Sequence, residues 1–212
     1  DSLSTAPYIV AFKTEHLLGS QGDDVYVKNL CPPVSPQGTA ISYAIYRPCG
    51  MYTEPKTKET LGYKAILIGY AELVSGGDPA TILLTNITRG VRLADRVMPN
   101  NYPAFDLFFE PKTSAQTING SIIDLPGDYS QGAAGLVVAI DRGKNAGLEA
   151  GDVLAVYREG KYAPDPKCPN CVKLPDERIG EVMIFRTFSR TSFALVMRSI
   201  RAVKISDKVT NP

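Results

Sequence analysis

Tryptophan is absent from this 212-residue chain, and histidine occurs once, at His16. The first absence removes the ring that stacks best on sugars and weighs against a carbohydrate-binding surface. The second confines any histidine-dependent mechanism to one place: a Ser-His-Asp or Cys-His system would have to assemble around His16, and no G-x-S-x-G elbow accompanies it. Neither G-x-x-x-x-G-K-[ST] nor G-x-G-x-x-G occurs, so no glycine-rich phosphate cradle is expected. No apolar run approaches the ~20 residues of a membrane-crossing helix, and no basic-then-apolar leader is visible, so membrane insertion is not expected. Charge of either sign is not in excess: 23 Lys plus Arg stand against 22 Asp plus Glu, for a net charge of +1. Nucleic-acid binding needs a concentrated basic face, and Lys56, Lys58 and Lys64 read instead as a solvated loop and strand edge. The adjacent acids Asp176 and Glu177 read as solvated loop residues rather than a glycosidase pair. No catalytic, cofactor-binding or metal residue is named, and the chain reads as a non-enzyme.

What the chain does have is an internal repeat. Without gaps, ATILLTNITRGVRLADRV (residues 80–97) lies on SFALVMRSIRAVKISDKV (residues 192–209), so that Leu83 meets Leu195, Arg89 meets Arg201, Val91 meets Val203, Asp95 meets Asp207 and Val97 meets Val209. Arg92 faces Lys204, Leu93 faces Ile205 and Arg96 faces Lys208, which keeps charge and apolar character in step. With small shifts the match runs back through Leu61-Gly62 onto Ile179-Gly180, Tyr46-Arg47 onto Tyr157-Arg158, and Ser20-Gln21-Gly22 onto Ser130-Gln131-Gly132. The expected organisation is a first β repeat over 1–100 with its core match from residue 8, an aromatic-rich connector and start of the second repeat over 101–120, and a second β repeat over 121–212. Each repeat is near the size of one small domain.

The apolar pattern has period two or is continuous, with Val, Ile, Thr, Tyr and Phe abundant, which predicts strands. They are expected at 8–13, 24–30, 41–47, 63–74, 80–88 and 92–98, then at 117–125, 135–141, 152–158, 180–188, 192–201 and 204–209. Turn signals such as Ser75-Gly76-Gly77-Asp78-Pro79 and Asp141-Arg142-Gly143 separate them. Short helical turns are expected at 15–18 and 144–148. The fold class is therefore mainly β: two tandem copies of a small β-barrel or sandwich-like module with one or two short helical turns.

Three local signals remain. Tyr102, Phe105, Phe108 and Phe109 give the connector an apolar character that predicts rings buried between the modules. Cys168 and Cys171 form C-P-N-C in what reads as a loop insertion of the second repeat. A redox pair, half a zinc site and a loop-closing disulfide are the options: the Pro-rich context weighs against the redox pair, Cys31 and Cys49 do not form a second zinc knuckle, and in an oxidising compartment the disulfide is favoured. Cys31 with Cys49 is the remaining pairing; were 24–30 and 41–47 a plain hairpin, these two would lie at its opposite ends, beyond bridging distance. Lastly, GLVVAIDRGKNAGLEAGDVLAV (residues 135–156) reads like the strand, turn and strand of a PDZ domain, with Gly147 and Gly151 shaping the turn.

The runs YIVAFKTEHLLGSQGDDVYV (residues 8–27) and LPDERIGEVMIFRTFSRTSFALVMRSIRAVKISDKVTNP (residues 174–212) resemble the C-terminal region of the type IV pilus secretin-associated LysM-domain proteins, a region itself similar to the C-terminal part of a flagellar ring protein. The resemblance implies a periplasmic scaffold of a Gram-negative bacterium that associates with the outer-membrane pilus secretin and helps anchor or align it to the cell wall. Peptidoglycan would be gripped by a LysM domain, and no LysM-like segment lies in this sequence, which is therefore expected to be a fragment or processed form. The C-P-N-C loop does not belong to the family pattern, and no partner-contacting residue is implied. The alternative is a cell-wall carbohydrate-binding or PDZ-like peptide-binding module.

Overall fold

The computed structural model describes residues 2–15, 17–31, 41–55, 57–100, 108–127, 129–165 and 171–212. After a four-residue helical turn at Ser2–Thr5, the first repeat contributes β1 (Tyr8–Phe12), β2 (Asp24–Lys28), β3 (Ser42–Thr53), β4 (Thr60–Ser75), β5 (Ala80–Ile87) and β6 (Arg96–Pro99). They close into an antiparallel barrel in the order β1-β2-β5-β4-β3-β6, with Tyr8 of β1 opposite Arg96 of β6. A short strand β7 (Lys112–Thr113) follows, then β8 (Asn119–Asp124), β9 (Val137–Ile140), β10 (Asp152–Arg158), β11 (Tyr162–Pro164), β12 (Cys171–Lys173), β13 (Glu177–Thr187), β14 (Ser192–Ser199) and β15 (Lys208–Thr210). In the second repeat the order β13-β14-β9-β8-β15-β10 is joined end to end by the β10–β13 pairing, which makes a second six-strand ring, and β7 adds in parallel to β10. The mainly β class and the barrel reading hold.

Most strands form where the alternation expects them, but the expected 92–98 and 204–209 are strand only from Arg96 and Lys208 onward, and β7, β11 and β12 have no counterpart among the expected strands. Along β5 the buried residues are Ala80, Ile82 and Leu84, and along β14 they are Ser192, Ala194 and Val196, every second side chain in each case. The inward residues fill each ring as a packed core, as small barrels require. One core contains Ile9, Val25, Val27, Ile45, Ile68, Ala71, Leu84, Val91 and Val97; the other contains Ile122, Val138, Ile140, Val156, Ile179, Val182, Val196, Val203 and Val209, the corresponding positions taken in order. Bulges are repeated too, between Ile9 and Ala11 on β1 and between Ile122 and Asp124 on β8.

The registers correct three features of the sequence alignment. Gly69 opposes Ile87 and Gly180 opposes Ser199, so Ile68-Gly69, not Leu61-Gly62, is the counterpart of Ile179-Gly180. Gly19 bridges to Val91 and Gly132 to Val203, while the Gly22 and Gly135 N–H groups donate to the carbonyls of Leu84 and Val196, so Gly22 corresponds to Gly135 and not to Gly132. Finally, the same number of residues separates Arg47 from Gly69 as Arg158 from Gly180. The stretch that holds C-P-N-C therefore contains no inserted residues relative to the first repeat.

Two compact units are present, and they do not coincide with the repeats. The first takes in Asp1–Met51 and Tyr63–Phe105; the second takes in Asp106–Pro212 together with Tyr52–Gly62, the tip of the β3–β4 hairpin. Residues 15–18 form bends rather than a helical turn in their described part, whereas a 3₁₀ turn does occur at Lys144–Ala146, inside the expected 144–148. His16 lies outside the described residues.

Candidate interaction surface

The most strongly held polar groups of each barrel are an arginine and an aspartate. Arg47 donates from Nε to Asp95 Oδ1 at 2.9 Å and from Nη2 to Asp95 Oδ2 at 2.7 Å, and Nη2 also donates to the Gly90 carbonyl at 2.8 Å. Arg158 does the same with Asp207 at 3.0 and 2.7 Å and with the Ala202 carbonyl at 2.7 Å. Each aspartate also accepts from the backbone N–H three residues before it, Arg92 or Lys204, both at 2.7 Å. The residue before it, Ala94 or Ser206, is left-handed, with φ of 68° or 75°. Asp95 and Asp207 are 2% and 5% exposed. The bond to its aspartate holds each guanidinium above the ordinary arginine range. Each carboxylate accepts three bonds from fixed donors, so the pairs clasp the turn before β6 and the turn before β15 onto β3 and β10. They are structural.

Among the described residues, the acids and thiols considered from sequence do not converge. Asp176 accepts from Lys208 Nζ at 2.8 Å and from the Gly160 N–H at 3.0 Å, and the lysine bond holds its carboxyl below the usual carboxylate range. Glu177 meets Arg201 at 2.9 Å, so each acid has its own cation. Among the described residues, no three His, Cys, Asp or Glu side chains are grouped to hold a metal ion. Cys31 is an exposed free thiol just past β2, and it forms no bridge to Cys49, which is also exposed, on β3. The two strands do not make the hairpin considered above, since β2 pairs with β1 and β5, and β3 lies between β4 and β6. Cys171 is exposed at the start of β12; Cys168, and with it the Cys168–Cys171 pairing, lies outside the described residues.

The PDZ-like run supplies β9, the 3₁₀ turn and β10. Gly147 caps the turn in a left-handed conformation at φ 82°, and Gly151 follows at 94°. Both strands are inside the ring: β9 is paired by β8 and β14, and β10 by β13 on one side and β15 and β7 on the other. A peptide joining by strand addition would find no open edge there. Of the connector aromatics, Tyr102 and Phe105 lie outside the described residues, and Phe108 is 90% exposed rather than buried.

What does converge is an aromatic surface on the second unit. Phe193 of β14 stacks with Phe185 of β13 at 6.4 Å between ring centroids and meets Phe188 edge-on at 5.6 Å, while the Arg186 guanidinium lies 5.2 Å from the Phe188 ring centre. Onto this patch the tip of the β3–β4 hairpin delivers Tyr52, edge-on to Phe193 at 6.3 Å and 75°. Glu59 from the same tip pairs with Arg190 at 2.9 Å, and Arg190 also donates to the Thr60 carbonyl at 3.2 Å. Glu54 adds negative potential near Asp141. That carboxyl is 4% exposed and sits above its usual range, chiefly through burial, despite bonds from Ser121 N–H and the nearby Arg142. The second unit is thus a barrel with a β-hairpin arm docked on one face.

Sequence reasoning missed this surface. Its signal was a departure from the repeat: where the second repeat has Phe185 and Phe193, the first has Val74 and Thr81 at the equivalent registers. No family model matches the chain, and no curated protein matches it.

Proposed function

We propose that this chain is a non-enzymatic periplasmic scaffold that associates with the outer-membrane secretin of type IV pili and helps hold that ring in place against the cell wall. The observation that carries the scaffold reading is the docked arm: the hairpin tip Tyr52–Gly62 belongs to the second compact unit, where it packs by ring edge, ion pair and backbone bond. The choice of partner rests on the resemblance of residues 8–27 and 174–212 to secretin-associated proteins. The grip on peptidoglycan would come from a LysM domain outside this sequence.

Retention of the purified chain on detergent-solubilised pilus secretin tests the proposal, with peptidoglycan sacculi as parallel bait. Retention by the secretin and not by sacculi is expected. Retention by sacculi alone would move the carbohydrate-binding reading to first place, and retention by neither would end the secretin assignment for these repeats.

A further inference from the structure

Likeness between the repeats at buried positions has its cause in the cores; likeness at exposed positions needs another. Along and just past β5 and β14, outward residues have diverged: Thr85 stands against Met197, Asn86 against Arg198 and Thr88 against Ile200. In the turns that follow they have kept their character: Arg89 stands against Arg201, Arg92 against Lys204 and Leu93 against Ile205. All six of these are exposed, Leu93 by 55% and Ile205 by 50%. The backbone beneath them is fixed. Val91 and Val203 bridge to Gly19 and Gly132, and the Ala94 and Ser206 N–H groups donate to the Ile9 and Ile122 carbonyls at 2.9 and 2.8 Å. The one acid of each turn, Asp95 or Asp207, is buried against its guanidinium and leaves the turn's outer cations unopposed from within. Over 88–96 and over 200–208 three basic residues stand against that one acid, in a chain whose net charge is only +1, so the remaining residues are net negative. Arg201 meets Glu177, Lys208 meets Asp176, and Arg96 donates to the Ala6 carbonyl. Among the described residues, Arg89, Arg92 and Lys204 have no acid partner.

We infer that each of these turns is a contact point for an anionic lipid surface, laying Leu93 or Ile205 into the interface with Arg92 or Lys204 at the headgroups. The contact is shallow and peripheral, driven by apolar area together with charge. What selects this partner is that the class of each side chain is kept while its identity changes. A protein pocket separates leucine from isoleucine by shape, and a forked guanidinium from a compact ammonium by hydrogen-bond geometry. A fluid interface reads only apolar area and positive charge, and the two turns are alike in those alone. This inference does not depend on the secretin reading.

Cosedimentation of the chain with large, protein-free vesicles at low salt reads it directly. Binding is expected to phosphatidylcholine vesicles containing roughly one third phosphatidylglycerol, far more than to phosphatidylcholine alone, and is expected to recede with added salt. Arg92→Gln combined with Lys204→Gln is expected to weaken binding to the anionic vesicles by about fivefold or more. Leu93→Ser combined with Ile205→Ser is expected to weaken it by about fivefold while the salt dependence persists. Arg198→Gln combined with Lys144→Gln removes the same charge from exposed positions outside the turns and is expected to leave binding nearly unchanged. Every substitution is at an exposed side chain, and circular dichroism of each variant checks that the fold is kept. Failure to bind the anionic vesicles overturns the inference, as does binding that both turn variants leave intact or that the Arg198 and Lys144 variant weakens equally. Retention by vesicles carrying native membrane proteins, but not by protein-free vesicles of the same lipids, would assign the turns to a protein partner and overturn it too.

Discussion

Arg47 lies side-on against Asp95 through Nε and Nη2, and the same guanidinium reaches the Gly90 carbonyl, so one side chain ties a strand to a turn 43 residues away. Arg158 and Asp207 repeat the arrangement in the second barrel.

Removing either carboxylate strands an arginine and frees a turn N–H. Asp95→Ala and Asp207→Ala are each expected to cost about 3 kcal/mol, the lower end for a buried pair because the arginines keep 21% and 25% exposure. Urea denaturation followed by circular dichroism measures the loss. The two sites belong to separate compact units, and the double variant is expected to show the sum of the single effects.

Gly69 and Gly180 sit where a side chain would strike backbone. A Cβ at Gly69 would lie 2.3 Å from the Asn86 carbonyl oxygen, and one at Gly180 would lie 2.5 Å from that of Arg198. Alanine at either position is expected to cost about 1–3 kcal/mol in the same assay. Gly62→Ala, with nothing within 4 Å of its Cβ, is expected to change stability little, which separates the structural alignment of the repeats from the sequence one.

Asp141 gives the pH dependence an identifiable sign. Burial raises its folded-state pKa, so the folded protein binds this proton more tightly than the unfolded chain does. Its contribution is most favourable below the ordinary aspartate pKa and is lost as pH rises through the raised folded value. Asp141→Asn keeps an oxygen to accept from Ser121 N–H, and is expected to raise the urea midpoint at pH 7 more than at pH 4. An equal shift at both pH values would show that the carboxyl's ionisation is not the cause.

The arm on the second barrel can be weighed by two double-mutant cycles. Tyr52→Ala with Phe193→Ala is expected to give a coupling of about 0.5–1.5 kcal/mol, the range for an edge-on ring pair. Glu59→Gln with Arg190→Gln should give less, below about 1 kcal/mol, and should vanish at high salt while the aromatic term persists. Chemical denaturation of the four proteins in each cycle provides the numbers.

The sequence made the duplication and most of the strands legible, because alternation along segments such as 80–87 and 192–199 reports directly which residues face a core. It also aligned both members of the Arg–Asp pairs, without revealing that they touch. Dipeptide likeness misplaced the glycines: Gly62 resembles Gly180 in its neighbours, but only Gly69 shares its close approach to the partner strand. The hairpin tips hid for a different reason. They have the same length in both repeats but hardly a residue in common, so no likeness carries across them, and the loop with Cys168 and Cys171 read as something added. The docked arm involves residues far apart in the chain and outside the barrel pattern, which periodicity does not report.

The seating of Tyr52–Gly62 on the second barrel means that the unit of duplication is not the unit of folding. Expressing residues 106–212 alone would remove the hairpin from its seat and bare Phe185, Phe188 and Phe193 to water together, turning a covered seam into an adhesive one. A dissection that respects the molecule must therefore carry a piece of the first repeat along with the second.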